Sequence, residues 1–117
     1  MGDVYSLFIG RWQPFHDGHK ALIDSVLAEG KKVCIAIRDT EIEAENPWTV
    51  EARRAYIRVF YPDEDLVKVI VIPDIEEICY GRGVGYGIRE IRLGYDVESI
   101  SGTKIRESLK DDSVDNG

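Results

Sequence analysis

The chain has 117 residues, which is enough for one compact domain and too few for two. Its formal net charge of −7 argues against nonspecific binding to nucleic acid, whose backbone is also anionic. The sequence has no signal-peptide pattern, no apolar run near the roughly 20 residues of a membrane span, and no Cys/His metal spacing. We therefore expect a soluble cytoplasmic protein with one domain over residues 1–109 and a disordered acidic tail over residues 110–117.

Apolar runs and turn residues predict strands alternating with helices. The strands are predicted over Val4–Ile9, Lys32–Ile37 and Val67–Ile72. The helices between them are predicted over Lys20–Ala28, before Gly30, and over Val50–Phe60, after an N-cap at Thr49. Because each strand is apolar throughout, we expect a three-layer α/β/α, Rossmann-like fold with about four to five strands in a parallel sheet.

Each predicted helix has one apolar side that we expect to face the sheet. The first helix places Leu22, Ile23, Val26 and Leu27 together, and the second places Ala52, Ala55, Tyr56 and Val59 together. Later in the chain the pattern is weaker. It predicts a short helical stretch at Ile88–Leu93, a last strand at Val97–Ile100 and a C-terminal helix at Thr103–Leu109.

The chemistry of the N-terminal half concentrates in the segment that follows the first strand, Gly10-Arg11-Trp12-Gln13-Pro14-Phe15-His16-Asp17-Gly18-His19. The carboxyl end of a parallel strand is where α/β folds bind ligands. Gly10 permits a sharp turn, and Gly18 lies where free helix N–H groups favour phosphate. His16 and His19 can then point at one oxyanion, which suits transfer at an α-phosphate.

Two histidines beside a turn are also compatible with ordinary surface residues. However, the chain contains only these two histidines, and both fall in the loop where the fold would bind a ligand. Convergent polar groups at such a position favour a functional pair.

Three segments resemble a known family. The Gly10–His19 segment resembles the G-R-[FW]-Q-P-F-H-x-G-H signature of the nucleotidylyltransferase superfamily, which shares its HxGH element with class I aminoacyl-tRNA synthetases. Ile100-Ser101-Gly102-Thr103-Lys104-Ile105-Arg106 resembles the second signature of that superfamily, I-S-x-T-x-x-R. Asn46-Pro47-Trp48-Thr49 is similar to the Asn-Pro-Phe-Thr segment of its archaeal-type nicotinamide mononucleotide adenylyltransferases. This is the branch of the superfamily whose signature residues are most similar to those of this chain.

The resemblance implies a HUP-type nucleotidyltransferase fold and a role for each matching residue. His16, His19 and Arg106 would be the catalytic residues, with the histidines at the attacked α-phosphate and Arg106 at the leaving pyrophosphate. The nucleotide would be bound by Gly10, Arg11, Gly18, Ser101, Thr103 and Lys104. A Mg²⁺ ion would be held by the nucleotide and water, without a protein metal site, and no covalent enzyme intermediate is implied.

The C-terminal signature also has an interpretation that does not depend on the family resemblance. Ser101 or Thr103 can cap a surface helix, as these residue types often do. Lys104 and Arg106 would then lie in the first turn or so, where cations oppose the helix dipole unless an anion binds there. Both interpretations stay open on the sequence alone.

Four further residues are candidates for contacting the acceptor or the base: Trp12, Trp48, Arg82 and Tyr86. For the two tryptophans, packing in the core is an equally good interpretation. Arg82 and Tyr86 lie in the glycine-rich segment Gly81–Gly87, which does not fit a G-x-G-x-x-G dinucleotide motif and is compatible with an exposed loop. The sequence departs there from the adenylyltransferase branch, which leaves the acceptor open.

The resulting hypothesis is an enzyme that transfers a nucleoside monophosphate, with AMP from ATP as first choice, to a phosphorylated small molecule and releases pyrophosphate. One alternative is cytidylyl transfer to a phosphoalcohol such as glycerol phosphate, and another is a nucleotide-binding module without catalysis. A homodimer is compatible with the sequence. If His19 is purely functional, His19→Ala should remove turnover and leave the melting temperature nearly unchanged.

Overall fold

A computed structural model describes residues 3–44 and 47–91 of the chain. Within these ranges the elements are β1 (Tyr5–Gly10), α1 (Asp17–Leu27), β2 (Lys32–Asp39), α2 (Val50–Phe60) and β3 (Val67–Pro73). The order of strands and helices is the predicted one. The predicted strand at Val97–Ile100, the helix at Thr103–Leu109, the acidic tail and the residues Ser101, Thr103, Lys104 and Arg106 lie outside the described residues.

The three strands form a parallel sheet in the order β1-β2-β3. The β1–β2 register runs from Tyr5 opposite Lys32 to Gly10 opposite Ile37, and the β2–β3 register ends with Asp39 opposite Pro73. All three strands therefore end at one edge of the sheet. The parallel α/β architecture expected from the sequence is confirmed, and its carboxyl edge carries the loops that follow β1, β2 and β3.

The hydrophobic core lies between the sheet and both helices. Val33, Ile35 and Ile37 alternate along β2 and are fully buried, in one cluster with residues of α1 and α2 that include Ile23 and Ile57. Since both helices pack on the same set of β2 side chains, they cover one face of the sheet, as right-handed crossovers in this strand order require.

The opposite face of the sheet is less covered by the described residues. The register places Leu7, Cys34 and Lys68 side by side on that face, and the Leu7 side chain is 57% exposed. The described part of the chain thus contains the sheet and one helical layer. The second helical layer and the further strands predicted from the sequence are not tested by the described residues.

The predicted apolar face of α2 is wrong. Tyr56 and Val59 are exposed, at 37% and 72%, whereas the buried residues of the helix are Arg53 and Ile57. Their spacing of four places them on one side of the helix. The pattern of apolar residues did not predict this buried face, because one of its two buried positions is occupied by an arginine.

The segment from Asp74 to Ile91 contains no helix, so the helical stretch predicted at Ile88–Leu93 is wrong for its described part. Tertiary contacts hold this segment instead. Arg89 Nη1 lies 3.1 Å from each carboxylate oxygen of Glu29, and Ile91 packs against the core cluster. In the described residues we find no helix with the length and apolar character needed to cross a membrane.

The N-cap of α2 provides a test of this fold. Thr49 Oγ1 accepts a hydrogen bond from the Ala52 N–H at 3.0 Å, as the sequence predicted. Thr49→Ala should lower the free energy of unfolding by about 1 kcal/mol, measured by urea denaturation, because one helix N–H loses its partner. Thr49→Ser keeps the hydroxyl and should be nearly neutral; equal losses for both variants would contradict the capping role.

Candidate functional site

The loop after β1 is built around the indole of Trp12. This side chain is 4% exposed, and its Nε1–H donates a hydrogen bond of 3.0 Å to the Ala36 carbonyl of β2. The Trp12 backbone has a φ of 56°, which is unfavourable for a residue with a side chain, and the buried indole holds it there. A Cβ atom on Gly10 would lie only 3.0 Å from the Trp12 ring, which is why a glycine is needed at this position.

The buried indole corrects one sequence-based interpretation. Trp12 was a candidate contact for the base or acceptor, but its ring belongs to the core cluster. Its centroid lies 4.8 Å from the His19 ring in an edge-to-face arrangement. Trp12 therefore supports a histidine of the loop, and the core-packing interpretation is the correct one.

His16 caps the start of α1 with its own ring. His16 Nδ1 accepts hydrogen bonds from the backbone N–H groups of Gly18, at 3.1 Å, and His19, at 3.4 Å. In return, the His16 backbone N–H donates to His19 Nδ1 at 3.2 Å. This is a reciprocal capping box in which both partners are histidines. It also explains why α1 begins at Asp17, earlier than predicted.

These bonds determine the tautomer of both rings. A nitrogen that accepts a hydrogen bond has no proton, so each neutral imidazole carries its proton on Nε2. The two rings are stacked, with centroids 3.6 Å apart and planes at 21°. The site therefore holds two parallel imidazoles, each with Nε2–H as its donor. The structure brings His16 and His19 together as the sequence predicted.

His19 is more deeply placed than the sequence suggested. Its side chain is buried, and its ring stacks on Phe15 at a centroid distance of 5.6 Å in addition to its contact with Trp12. Removing this ring would leave a gap between aromatic side chains. The expectation that His19→Ala leaves the melting temperature nearly unchanged is therefore corrected: the structure predicts a loss of stability as well.

The helix amides at this site are already used within the protein. The Gly18 N–H, expected from the sequence to be free for phosphate, donates to His16 Nδ1 together with the His19 N–H. The Lys20 N–H donates to the His16 carbonyl at 2.9 Å. These amides are therefore not free for phosphate, and the backbone contributes by orienting the two imidazoles.

Gln13 joins the first loop to the loop before α2. Its buried side-chain amide donates to the Trp48 carbonyl at 3.0 Å and accepts from the Trp48 N–H at 3.0 Å. The Trp48 ring in turn packs edge-to-face on Tyr56, with centroids 5.5 Å apart. Sequence reasoning missed this pairing, since nothing in the local pattern shows that a glutamine reaches a backbone 35 residues away.

Two adjoining clefts lie at the carboxyl edge of the sheet. The larger, of about 680 Å³, is lined by residues that include Arg11, Arg38 and Asp74, and the smaller, of about 470 Å³, is lined by residues that include Arg53. Asp39 and Thr40 line both clefts. Arg11 thus lines a cleft at the carboxyl edge of the sheet. Neither cleft is lined by the other candidate side chains among the described residues, namely His16, His19, Trp12, Trp48, Arg82 and Tyr86. The predicted partner of the histidines, Arg106, lies outside the described residues.

An ion pair ties the ends of β2 and β3 together beside the larger cleft. Arg38 Nε donates to Asp74 Oδ1 at 2.8 Å, and Arg38 Nη2 lies 2.7 Å from the same oxygen. The hydrogen bond from Arg38 is the main cause that lowers the pKa of Asp74 below its ordinary value of 3.8. The ionised carboxylate is therefore the form that the folded protein favours.

Because of this ion pair, the free energy of unfolding should depend on pH in the acidic range. Because the folded-state pKa of Asp74 is lowered, its contribution is present above pH 3.8 and is lost as the pH falls through the lower folded value. Asp74→Asn should lower the melting temperature at neutral pH, and the difference from the wild type should shrink in strong acid. Glu76→Gln is the matched control; an equal pH dependence in both variants would contradict the assignment.

Comparison with known proteins places this geometry in a family. Residues 7–76, more than half of the chain, match the Cytidylyltransferase-like family. A nicotinamide/nicotinic acid mononucleotide adenylyltransferase of Acinetobacter baylyi is 34% identical over 67 residues, covering 56% of this chain and 36% of the relative. A nicotinamide-nucleotide adenylyltransferase of Methanococcus aeolicus is 29% identical over 132 residues, covering 89% of this chain and 76% of the relative.

A solved structure shows the same relationship. A bifunctional NMN adenylyltransferase/ADP ribose pyrophosphatase from Francisella tularensis, complexed with AMP and a manganese ion, is 34% identical, with a TM-score of 0.55. The match covers 62% of this chain and 23% of that chain, so this protein spans only a part of the relative, as it does with the Acinetobacter enzyme. The HxGH segment, the parallel sheet and the family match agree: the chain belongs to the cytidylyltransferase-like family of the HxGH nucleotidylyltransferase superfamily.

Proposed function

We propose that the protein transfers AMP from ATP to a phosphorylated small molecule and releases pyrophosphate. The observation that carries the proposal is the histidine pair. His16 and His19 stack at 3.6 Å, and the bonds to their Nδ1 atoms leave Nε2–H as the donor of each neutral ring. Two donors fixed side by side are suited to an oxyanion whose charge grows during the reaction.

In the proposed reaction, a phosphate oxygen of the acceptor attacks the α-phosphorus of ATP. The bond from the α-phosphorus to the bridging oxygen of the β-phosphate breaks, and pyrophosphate leaves with that electron pair. Negative charge increases on the non-bridging α-phosphate oxygens, where the Nε2–H groups of His16 and His19 would donate. The protein forms no covalent bond, so its contribution is positioning and charge stabilisation.

The remaining charge of the nucleotide needs further cations. Arg11 lines the larger cleft directly after β1, and we assign it to the triphosphate. On the basis of the second sequence signature, we propose that the phosphates are also bound by Ser101, Thr103, Lys104 and Arg106. The described residues contain no cluster of three or more acidic, histidine or cysteine side chains that could hold a metal ion. Independently of that, we propose the Mg²⁺ complex of ATP as the substrate, with the ion held mainly by the nucleotide and water.

The relatives support ATP as the donor and suggest an acceptor to test first. Those named above are adenylyltransferases for nicotinamide or nicotinic acid mononucleotide, and the solved structure was complexed with AMP. We propose nicotinamide mononucleotide as the first acceptor. The family description also favours a second candidate, cytidylyl transfer from CTP to a phosphoalcohol.

Pyrophosphate release separates these possibilities. We expect the protein to release pyrophosphate with ATP and Mg²⁺ in the presence of nicotinamide mononucleotide, and to do so more slowly with CTP. The panel should also contain nicotinic acid mononucleotide and glycerol phosphate. Turnover with CTP and glycerol phosphate alone would overturn the adenylyl assignment. Nucleotide binding without pyrophosphate release over the whole panel would indicate a binding module.

Variants at His16 separate its structural role from its chemical role. Asparagine is a good N-cap, so His16→Asn should keep the free energy of unfolding within a few tenths of a kcal/mol while kcat falls by roughly 10²–10³. His16→Ala should lose the same activity and, in addition, about 1 kcal/mol of stability. Urea denaturation and the pyrophosphate assay measure the two effects. If His16→Asn retains full kcat, the imidazole has no catalytic role.

A further inference from the structure

Arg53 of α2 is a buried cation that sequence reasoning assigned to no site. Its side chain is 1% exposed, and it is the largest fully buried side chain among the described residues. It occupies the core-facing side of α2 together with Ile57. An arginine side chain is rarely buried to this extent unless its charge is paired. The contacts of the guanidinium therefore need an explanation.

The guanidinium joins the ends of two strands. Arg53 Nη1 donates hydrogen bonds of 2.8 Å to two backbone carbonyls, one of Arg11 and one of Arg38. The β1–β2 pairing ends with Gly10 opposite Ile37, so these carbonyls belong to the next residue of each strand. Arg53 Nε also donates to the Thr49 carbonyl of the α2 cap at 3.2 Å. One side chain thus continues the connection between β1 and β2 beyond the last register pair.

Burying the charge of Arg53 has a free-energy cost that its hydrogen bonds must offset. Within residues 3–44 and 47–91, Arg53 forms no ion pair with a carboxylate, and Nη2 is buried without a hydrogen-bond partner. Burial lowers the pKa of Arg53, as expected for a charge removed from water. Replacing Arg53 by an apolar side chain would leave the carbonyls of Arg11, Arg38 and Thr49 without this donor, so it should also cost some stability. A methionine would fill much of the same volume.

We propose that Arg53 is a positioning residue that acts through Arg11. By holding the Arg11 carbonyl against the Arg38 carbonyl, it fixes the backbone from which the Arg11 side chain enters the larger cleft. This inference rests on the proposed function in one respect, namely that Arg11 binds the triphosphate.

The consequence for activity follows from geometry. Phosphoryl and nucleotidyl transfer depend on the exact placement of cations around the phosphates, and an error of about 1 Å can cost up to roughly 10²-fold in rate. Without Arg53, the carbonyls of Arg11 and Arg38 lose their common donor. The Arg11 side chain would still be present, but its backbone would no longer be held in one place.

A double-mutant cycle with Arg53→Met and Arg11→Met tests the proposal. Arg53→Met should reduce kcat/KM for ATP by roughly 10- to 100-fold. Its melting temperature should also fall, because three backbone carbonyls lose a donor. In the Arg11→Met background, the same change should reduce kcat/KM by less than about twofold, because its target is gone. A purely structural role for Arg53 would give equal losses in both backgrounds.

Two further variants sharpen the cycle. Arg53→Lys can place one nitrogen with several N–H donors near both carbonyls, so it should recover part of the activity lost in Arg53→Met. Arg89→Met removes the same charge from an exposed arginine that lines neither cleft, and it should leave kcat/KM unchanged. Arg53→Lys as inactive as Arg53→Met, or Arg89→Met equally impaired, would overturn the proposal.

The same cycle, measured as the Kd for ATP–Mg²⁺ without acceptor, keeps the two proposals distinguishable. If the wild type turns over and the losses are additive, only the role of Arg53 fails. If the wild type binds ATP without releasing pyrophosphate from any acceptor, the enzymatic function fails, and coupled changes in Kd still support Arg53. A wild type that binds no nucleotide overturns both.

Discussion

The site depends on one local interaction, the hydrogen bonds that His16 Nδ1 accepts from the first backbone N–H groups of α1. This interaction begins the helix at Asp17, and it also decides which nitrogen of the ring carries the proton. The reciprocal bond to His19 Nδ1 does the same for the second ring. The helix cap and the oriented donors are therefore built from the same side chains, and a change at His16 affects both unless the replacement, such as asparagine, keeps a capping acceptor.

The aromatic side chains around the loop make this arrangement rigid. Trp12 is held in a left-handed backbone conformation by the burial of its indole and by its bond to β2, and its ring edge contacts His19. Phe15 also stacks on His19. Backbone strain of this kind persists only where the surrounding packing enforces it. The packing of the loop is thus part of how the histidines are positioned.

The arginines of the carboxyl edge are placed in three different environments. Arg11 lines the larger cleft, Arg38 pairs with Asp74 at the ends of β2 and β3, and Arg53 is buried among backbone carbonyls. The larger cleft is also lined by the carboxylates of Asp39, Glu41, Glu43 and Asp74, so positive and negative side chains are mixed at this edge.

Local sequence patterns were sufficient for the order of the described elements, the parallel sheet and the position of the histidine pair. Apolar runs of β2, the Thr49 cap and the spacing of His16 and His19 are local features, and each acts over a few residues. The bounds of α2 at Val50 and Phe60 agree with the prediction for the same reason. The histidines could be selected because the chain has no others, and both follow the first strand.

Only the tertiary structure decided how the site is supported. The burial of Trp12, the pairing of Gln13 with Trp48 and the contacts of Arg53 join parts of the chain that are 15 to 42 residues apart. Such contacts produce no periodic pattern in the sequence. In α2, the buried arginine also led the apolar pattern to predict the wrong buried face. The sequence by itself determined which segments form strands, helices and the ligand-binding loop, because these depend on local hydrophobicity and capping. Long-range packing decides which polar groups form the hydrogen bonds that hold this loop, and therefore only the folded chain shows which groups these are.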